Sequence, residues 1–138
     1  MLRNKNSKRY FDLNSKRRIY SQNFLKDKSL VYRLVENSSI TENDTVIEIG
    51  PGRGVITKFL LEKAKKVIAI EIDTELVNKL KEKFADKSNL EISNVDIQKY
   101  QLPIGDYKVF SNIPFRITSD ILKKFLDYNN SPVEAYLI

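Results

Sequence analysis

Short apolar runs alternate with amphipathic segments along most of this chain, and the alternation predicts a succession of helices and strands. Residues 29–35 set Leu30, Val31, Leu34 and Val35 on one helical face, with Asp27 or Ser29 placed to cap it. Residues 45–49 form an apolar run short enough for a buried strand, and Ile56, Phe59, Leu60 and Ala64 recur behind it at helical spacing. Residues 67–70 repeat the strand pattern, followed by the helical stripe Leu76, Val77, Leu80 and Phe84 with Asp73 as N-cap. Further strands are predicted over residues 90–92, 108–110 and 134–138, and a helix bearing Ile121, Leu122, Phe125 and Leu126 separates the last two.

Strands alternating with helices imply a parallel sheet, because a parallel pair needs a crossover that returns the chain to the same end. The expected fold is α/β, a doubly wound and mainly parallel sheet of Rossmann-like type that stops at about the fifth strand. In such sheets ligands bind beyond the carboxyl ends of the strands, where the winding reverses. Residues 20–138 are read as this domain and residues 1–19 as a separate basic arm.

Composition removes whole classes of chemistry. The 138 residues hold no cysteine and no histidine, so disulfides, thiolate nucleophiles and the commonest general base and metal ligand are excluded. Carboxylates, amides, hydroxyls and backbone must do the work, and no metal is expected. No apolar run is long enough to cross a bilayer, and the basic N-terminus is not followed by the apolar stretch of a signal peptide, so a cytoplasmic protein is expected. The net charge of +6 sits in one place. Residues 1–18 hold Arg3, Lys5, Lys8, Arg9, Lys16, Arg17 and Arg18 against the single acid Asp12, and the rest of the chain balances. Interleaved with Tyr10, Phe11 and Tyr20, this arm suits phosphates and unpaired bases, which favours a nucleic acid partner. A solvated tail is the other reading.

Two motifs carry the candidate chemistry. Glu48-Ile49-Gly50-Pro51-Gly52-Arg53-Gly54 leaves the first strand and puts bare backbone ahead of a helix N-terminus, where a ligand can approach closely. Glu71 ends the second strand about 20 residues on, placed to accept hydrogen bonds from both ribose hydroxyls of a nucleotide-like cofactor. The third glycine of a dinucleotide fingerprint would fall at Val55 or Thr57, so the G-x-G-x-G spacing favours a cofactor without a pyrophosphate. Asp96 follows the third strand and either accepts from an adenine amine of the cofactor or caps a turn.

The second motif, Ser111-Asn112-Ile113-Pro114-Phe115, follows the fourth strand. The exocyclic amine of adenine is a poor nucleophile because its lone pair is delocalised into the ring. The Asn112 side-chain oxygen and the Ile113 carbonyl, held by Pro114, can take the two amine hydrogens and free that lone pair, while Phe115 stacks on a flipped base. Alone this is an ordinary Asn-x-Pro turn. With the glycine loop it points to methyl transfer from S-adenosylmethionine to adenine N6.

With Ser21-Gln22-Asn23-Phe24-Leu25 ahead of the glycine loop, the chain resembles the rRNA adenine N6-dimethyltransferases, and among them the Erm macrolide-resistance enzymes, from about Tyr20 to Ile138. The resemblance implies S-adenosylmethionine as cofactor, with Asn23 and Leu25 at its methionine and sugar parts, Gly50 in the glycine loop, Glu71 on the ribose and Asp96 at the adenine end. Asn112 touches both cofactor and target amine, and Asn112, Ile113, Pro114 and Phe115 form the catalytic segment, Phe115 standing where many members have tyrosine. The implied substrate is an adenine of 23S rRNA, methylated or dimethylated at N6 by a monomer that grips RNA through its arm, giving macrolide, lincosamide and streptogramin B resistance.

The nearest alternative is the housekeeping small-subunit (16S) enzyme. Those proteins usually read Gly-Gln-Asn-Phe and Asn-Leu-Pro-Tyr, against Ser21-Gln22-Asn23-Phe24 and Asn112-Ile113-Pro114-Phe115 here. Family members continue through further strands into a helical C-terminal domain, so a truncated RNA-binding module with a cofactor pocket and no turnover is a third reading. Methyltransferases of DNA adenine or glutamine amides share the Asn-x-Pro-aromatic signature.

Overall fold

The computed structural model describes residues 26–113, 116–126 and 129–138. Asn23, Leu25, Pro114, Phe115 and the basic arm lie outside the described residues. Within them the strands are β1 (Thr45–Ile49), β2 (Lys66–Glu71), β3 (Leu90–Asn94), β4 (Lys108–Ser111) and β5 (Glu134–Leu137). The helices are α1 (Lys28–Glu36), α2 (Val55–Lys63), α3 (Thr74–Lys83) and α4 (Thr118–Phe125). Every pairing is parallel, in the order β3-β2-β1-β4-β5. The chain winds outward from β1 to β3 and then returns to the far side of β1, which is the doubly wound α/β fold expected from the sequence.

The reversal falls between β1 and β4. The β1–β2 ladder runs to Ile49↔Ile70, whereas the β1–β4 ladder stops at Ile47↔Val109. Joined at their amino-terminal halves, β1 and β4 part toward the carboxyl end, where a crevice for a ligand is expected.

Side chains alternate across the central strands and both faces are covered, so the strands read as near-continuous apolar runs. On one face Val46 and Val67 meet Val31 and Val35 of α1, Ile56 and Leu60 of α2, and Leu80 of α3. On the other, Ile47, Ile49, Ile68 and Ile70 meet Ile121 and Phe125 of α4 and the β3–β4 connection at Ile97, Leu102 and Tyr107. Each fully buried aliphatic side chain contributes about 1.5–3 kcal/mol, which makes these two layers the main source of stability.

Two helical stripes are narrower than the sequence predicts. Leu34 of α1 and Leu122 and Leu126 on and after α4 are exposed. Ile121 and Phe125 already make the four-residue pair that seats α4, and each leucine stands one residue further on, about 100° around the helix. Capping follows the sequence closely: Asp27 Oδ1 accepts from the Leu30 amide at 2.9 Å, and Asp73 Oδ1 accepts from Glu75 and Leu76 at 2.8 and 3.2 Å. Several strands outrun their apolar cores because ladder bonds are made by backbone, so β2 and β3 continue to the pair Glu71↔Asn94.

Candidate functional site

The parallel sheet gathers the sequence motifs at one end. Past β1, Gly50 donates its amide to the Ile70 carbonyl of β2 at 2.9 Å, and Gly52 donates to Glu71 Oε2 at 3.2 Å. Glu71 Oε1 accepts from the Asp73 amide at 3.1 Å. The Glu71 carboxylate, nearly buried, thus pins the glycine loop to the end of β2 and uses each oxygen once. A carboxylate oxygen accepts two hydrogen bonds, so both retain capacity for hydroxyls.

The three loop glycines do different things. Gly50 and Gly52 have φ of 62° and 56°, a conformation glycine adopts without steric cost, and a Cβ on either would meet nothing within 4 Å. Open space lies beyond that backbone. Gly54, at φ 76°, is the N-cap of α2, and its Cβ would come within 2.6 Å of Phe84 Cε2 and 2.9 Å of Leu80 Cδ2. Two glycines leave room for a ligand, and the third leaves room for α3.

At the end of β3, Asn94 donates through Nδ2 to the carbonyls of Glu71 and Ile72 at 3.0 and 3.1 Å, and its Oδ1 accepts from the Thr74 hydroxyl at 2.9 Å. It ties β3 to the Glu71–Ile72 backbone. Asp96 lies half-buried just beyond, with Oδ1 accepting from the Gln98 amide at 2.9 Å, so the turn-capping reading is realised while Oδ2 has no hydrogen-bond partner among the described residues. Ile72 is 66 % exposed at this same rim, an apolar side chain next to Glu71.

Across the crevice, Asn112 is half-buried directly after β4. The residues flanking it are anchored to the end of β5: Ile138 donates its amide to the Ser111 carbonyl at 3.0 Å, and Ile113 donates to the Ile138 carbonyl at 3.2 Å. Ser111 is fully buried, and its Oγ accepts the Ile49 amide at 2.6 Å.

Beneath the loop, alternation along β1 puts Glu48 on the Val46 face, against Thr57 of α2. Glu48 Oε2 and Thr57 Oγ1 are buried without a hydrogen-bond partner among the described residues. Burial pushes the Glu48 carboxyl up to about 8; the adjacent Thr57 hydroxyl and amide pull the other way through their polarity, although the hydroxyl makes no hydrogen bond of good geometry, and the Glu71 charge adds to the rise.

The sequence-predicted residues Gly50, Glu71, Asp96, Asn112 and Ile113 therefore share the carboxyl end of one sheet. The open backbone at Gly50 and Gly52, two carboxylates at successive strand ends and an apolar rim fit S-adenosylmethionine: the backbone leaves room for close approach, the carboxylates suit ribose hydroxyls and an adenine amine, and the rim suits the adenine ring. Ser111, Asn94, Ile72 and Glu48 have no role in the sequence reading, although Glu48 and Ser111 lie inside the motifs it singles out. Hydrogen bonding between strands distinguishes Ser111 and Asn94, burial distinguishes Glu48 and exposure Ile72, and no linear pattern displays these. Among the described residues no group of three or more acids is arranged to hold a metal, and no helix is long and apolar enough to cross a membrane.

Comparison with known proteins gives concordant matches. Residues 13–138 match the family described as Ribosomal RNA adenine dimethylase. A Fusobacterium nucleatum protein named Ribosomal RNA small subunit methyltransferase A is 39% identical over 125 residues, covering 86% of this chain and 47% of that protein. A Bacteroides fragilis protein named rRNA adenine N-6-methyltransferase is 42% identical over 106 residues, covering 77% and 40% respectively. The solved structure of the 23S rRNA methyltransferase ErmE superimposes with a TM-score of 0.73 at 30% identity, covering 80% of this chain and 45% of that one. The chain spans about half the length of these relatives.

Proposed function

The chain belongs to the ribosomal RNA adenine dimethylase family, and from that premise we propose that it serves S-adenosylmethionine-dependent N6-dimethylation of adenine in small-subunit (16S) rRNA. The observation that carries the reading is the crevice itself: an open glycine loop held by Glu71 on one side and Asn112 on the other. The choice of 16S rests on the relatives at 39–42% identity named as small-subunit enzymes. The 23S target implied by the Erm resemblance remains the second reading, favoured by the superposition on the 23S rRNA methyltransferase ErmE.

S-adenosylmethionine supplies a methyl group on a cationic sulfur. The chain's own part is to hold and orient. Gly50 and Gly52 bring backbone against the cofactor, Glu71 accepts its ribose hydroxyls, and Asp96 Oδ2 accepts its adenine amine, with Ile72 covering the ring. Asn112 Oδ1 and the Ile113 carbonyl draw the two hydrogens of the target amine out of the ring plane, which localises the nitrogen lone pair for attack. Asn23 and Leu25 complete the cofactor side and Pro114 and Phe115 the base side, as the family resemblance implies. Residues 1–19 form a basic arm for RNA, so starting the chain after Arg18 should flatten the salt dependence of rRNA binding. An unchanged salt slope would leave the arm a passive tail.

The deciding experiment is transfer of labelled methyl from S-adenosylmethionine to protein-free 16S and 23S rRNA, with cofactor binding measured by calorimetry on the same sample. Label on a 16S adenine is the expected result. Label confined to 23S would transfer the reading to the resistance enzymes, and binding without label would make the chain a cofactor-binding module without turnover.

A further inference from the structure

We infer that Ser111 is the positioning residue that sets Asn112 against the glycine loop, its hydroxyl taking the Ile49 amide across the gap where β1 and β4 part. The inference rests on the cofactor reading above and adds a residue to it.

Amides on a strand point alternately to its two neighbours. Gly50 gives its N–H to Ile70 of β2, so the Ile49 N–H points the other way, toward β4. A continued ladder would supply a β4 carbonyl there, but pairing has ended at Ile47↔Val109. The amide is buried and the strands are diverging, so it must find another acceptor or go unsatisfied. Ser111 Oγ provides one at 2.6 Å. A side chain reaches further than a backbone carbonyl, which lets the strands separate while remaining tied.

The place of this tie gives it functional weight. Ile49 immediately precedes Gly50, whose backbone borders the open space. Ser111 immediately precedes Asn112, and the backbone on both sides of Asn112 is fixed to Ile138. The catalytic asparagine is thus anchored to β5 on one side, and beyond the end of the β1–β4 ladder the hydrogen bond from Ile49 to Ser111 joins that anchored unit to the cofactor loop. Alanine fits the space and removes the tie. Threonine keeps the hydroxyl and suits a strand.

The test follows backbone amides and the Asn112 side-chain amide by NMR during titration with S-adenosylhomocysteine, using wild type, Ser111→Ala, Ser111→Thr and Ser111→Cys. In wild type the Gly50 and Asn112 signals are expected to move together. In Ser111→Ala the Gly50 shift persists and the Asn112 side-chain shift is lost; Ser111→Thr restores it. A merely structural role lowers the melting temperature of Ser111→Ala but leaves the Asn112 response intact, and that result overturns the inference. If Ser111→Ala does not fold, Ser111→Cys, whose thiol is a weak acceptor, must show a reduced Asn112 response, and a wild-type response there overturns it equally. Absence of any shift in wild type would instead overturn the cofactor reading, and the inference with it.

Discussion

Asn112→Ala is expected to abolish methyl transfer to rRNA while leaving affinity for S-adenosylhomocysteine within a few fold of wild type. The asymmetry comes from where each contact acts. In the proposed site the cofactor's ground state would be held by backbone at Gly50 and Gly52, which borders open space, and by the Glu71 carboxylate that accepts from Gly52, all on the β1–β2 side of the crevice. In the proposed mechanism Asn112 Oδ1 accepts a hydrogen from the target amine, an interaction that would strengthen as the nitrogen becomes tetrahedral. Groups that act mainly in the transition state lower turnover without weakening the ground-state complex. Removal of one such oriented polar group from an enclosed site costs about 10²–10³ in rate. Glu71→Ala should show the opposite split, with affinity falling at least about tenfold, since charge-assisted hydrogen bonds are about twice as strong as neutral ones. It also strips the Gly52 and Asp73 amides of their acceptor. Single-turnover transfer of labelled methyl and calorimetry on the same samples separate the two. If Asn112→Ala loses cofactor binding and keeps its rate per bound cofactor, the assignment of the asparagine to the amine is wrong.

The elements were legible because the pattern that marks them is local. Five apolar runs of strand length, separated by helical stripes, are enough to order the chain into a parallel sheet, and the aspartates at positions 27 and 73 start their helices in the structure. That the candidate site residues gather at one end was legible for a related reason: topology puts every strand's carboxyl end at one edge, so Glu71, Asp96 and Asn112 needed only their positions at or just past the ends of β2, β3 and β4. What was hidden is relational. Leu122 and Ile121 are equally apolar in sequence, and only the lack of a neighbouring surface beside α4 leaves one exposed and the other buried. Gly50 and Gly54 share a motif and a positive φ, yet one faces open space and the other the ring of Phe84. Ser111 likewise shows its role only once the β1–β4 ladder is seen to stop short.

Glu48 is expected to make the protein less stable as pH rises from about 4.5 to about 8, and Glu48→Gln to remove that dependence. Its carboxyl has an ordinary value of 4.5 and is raised to about 8 in the folded chain, chiefly by burial. Between those values the folded chain keeps a proton that the unfolded chain has released. The native state then binds more protons than the denatured state, so stability falls with pH, by up to about 1.4 kcal/mol per unit from this group. Its contribution is complete below about 4.5 and fully lost once pH passes the folded value near 8. Asp44 and Glu134 are shifted downward, by hydrogen bonds to Thr41 and Lys108 and to Ser39 and Tyr136 respectively, with burial opposing in both. They act in the opposite sense, losing stability as pH falls, and would blur a wild-type profile taken alone. The difference between wild type and Glu48→Gln cancels them. Glutamine preserves the shape, cannot ionise, and still offers an amide to the Thr57 hydroxyl. In urea unfolding, the two proteins should therefore be similar near pH 4.5 and diverge steadily, with the glutamine variant the more stable at pH 8.5. Parallel profiles across that range would mean that Glu48 ionises in the folded chain as readily as in the unfolded one, so that its burial does not hold the proton.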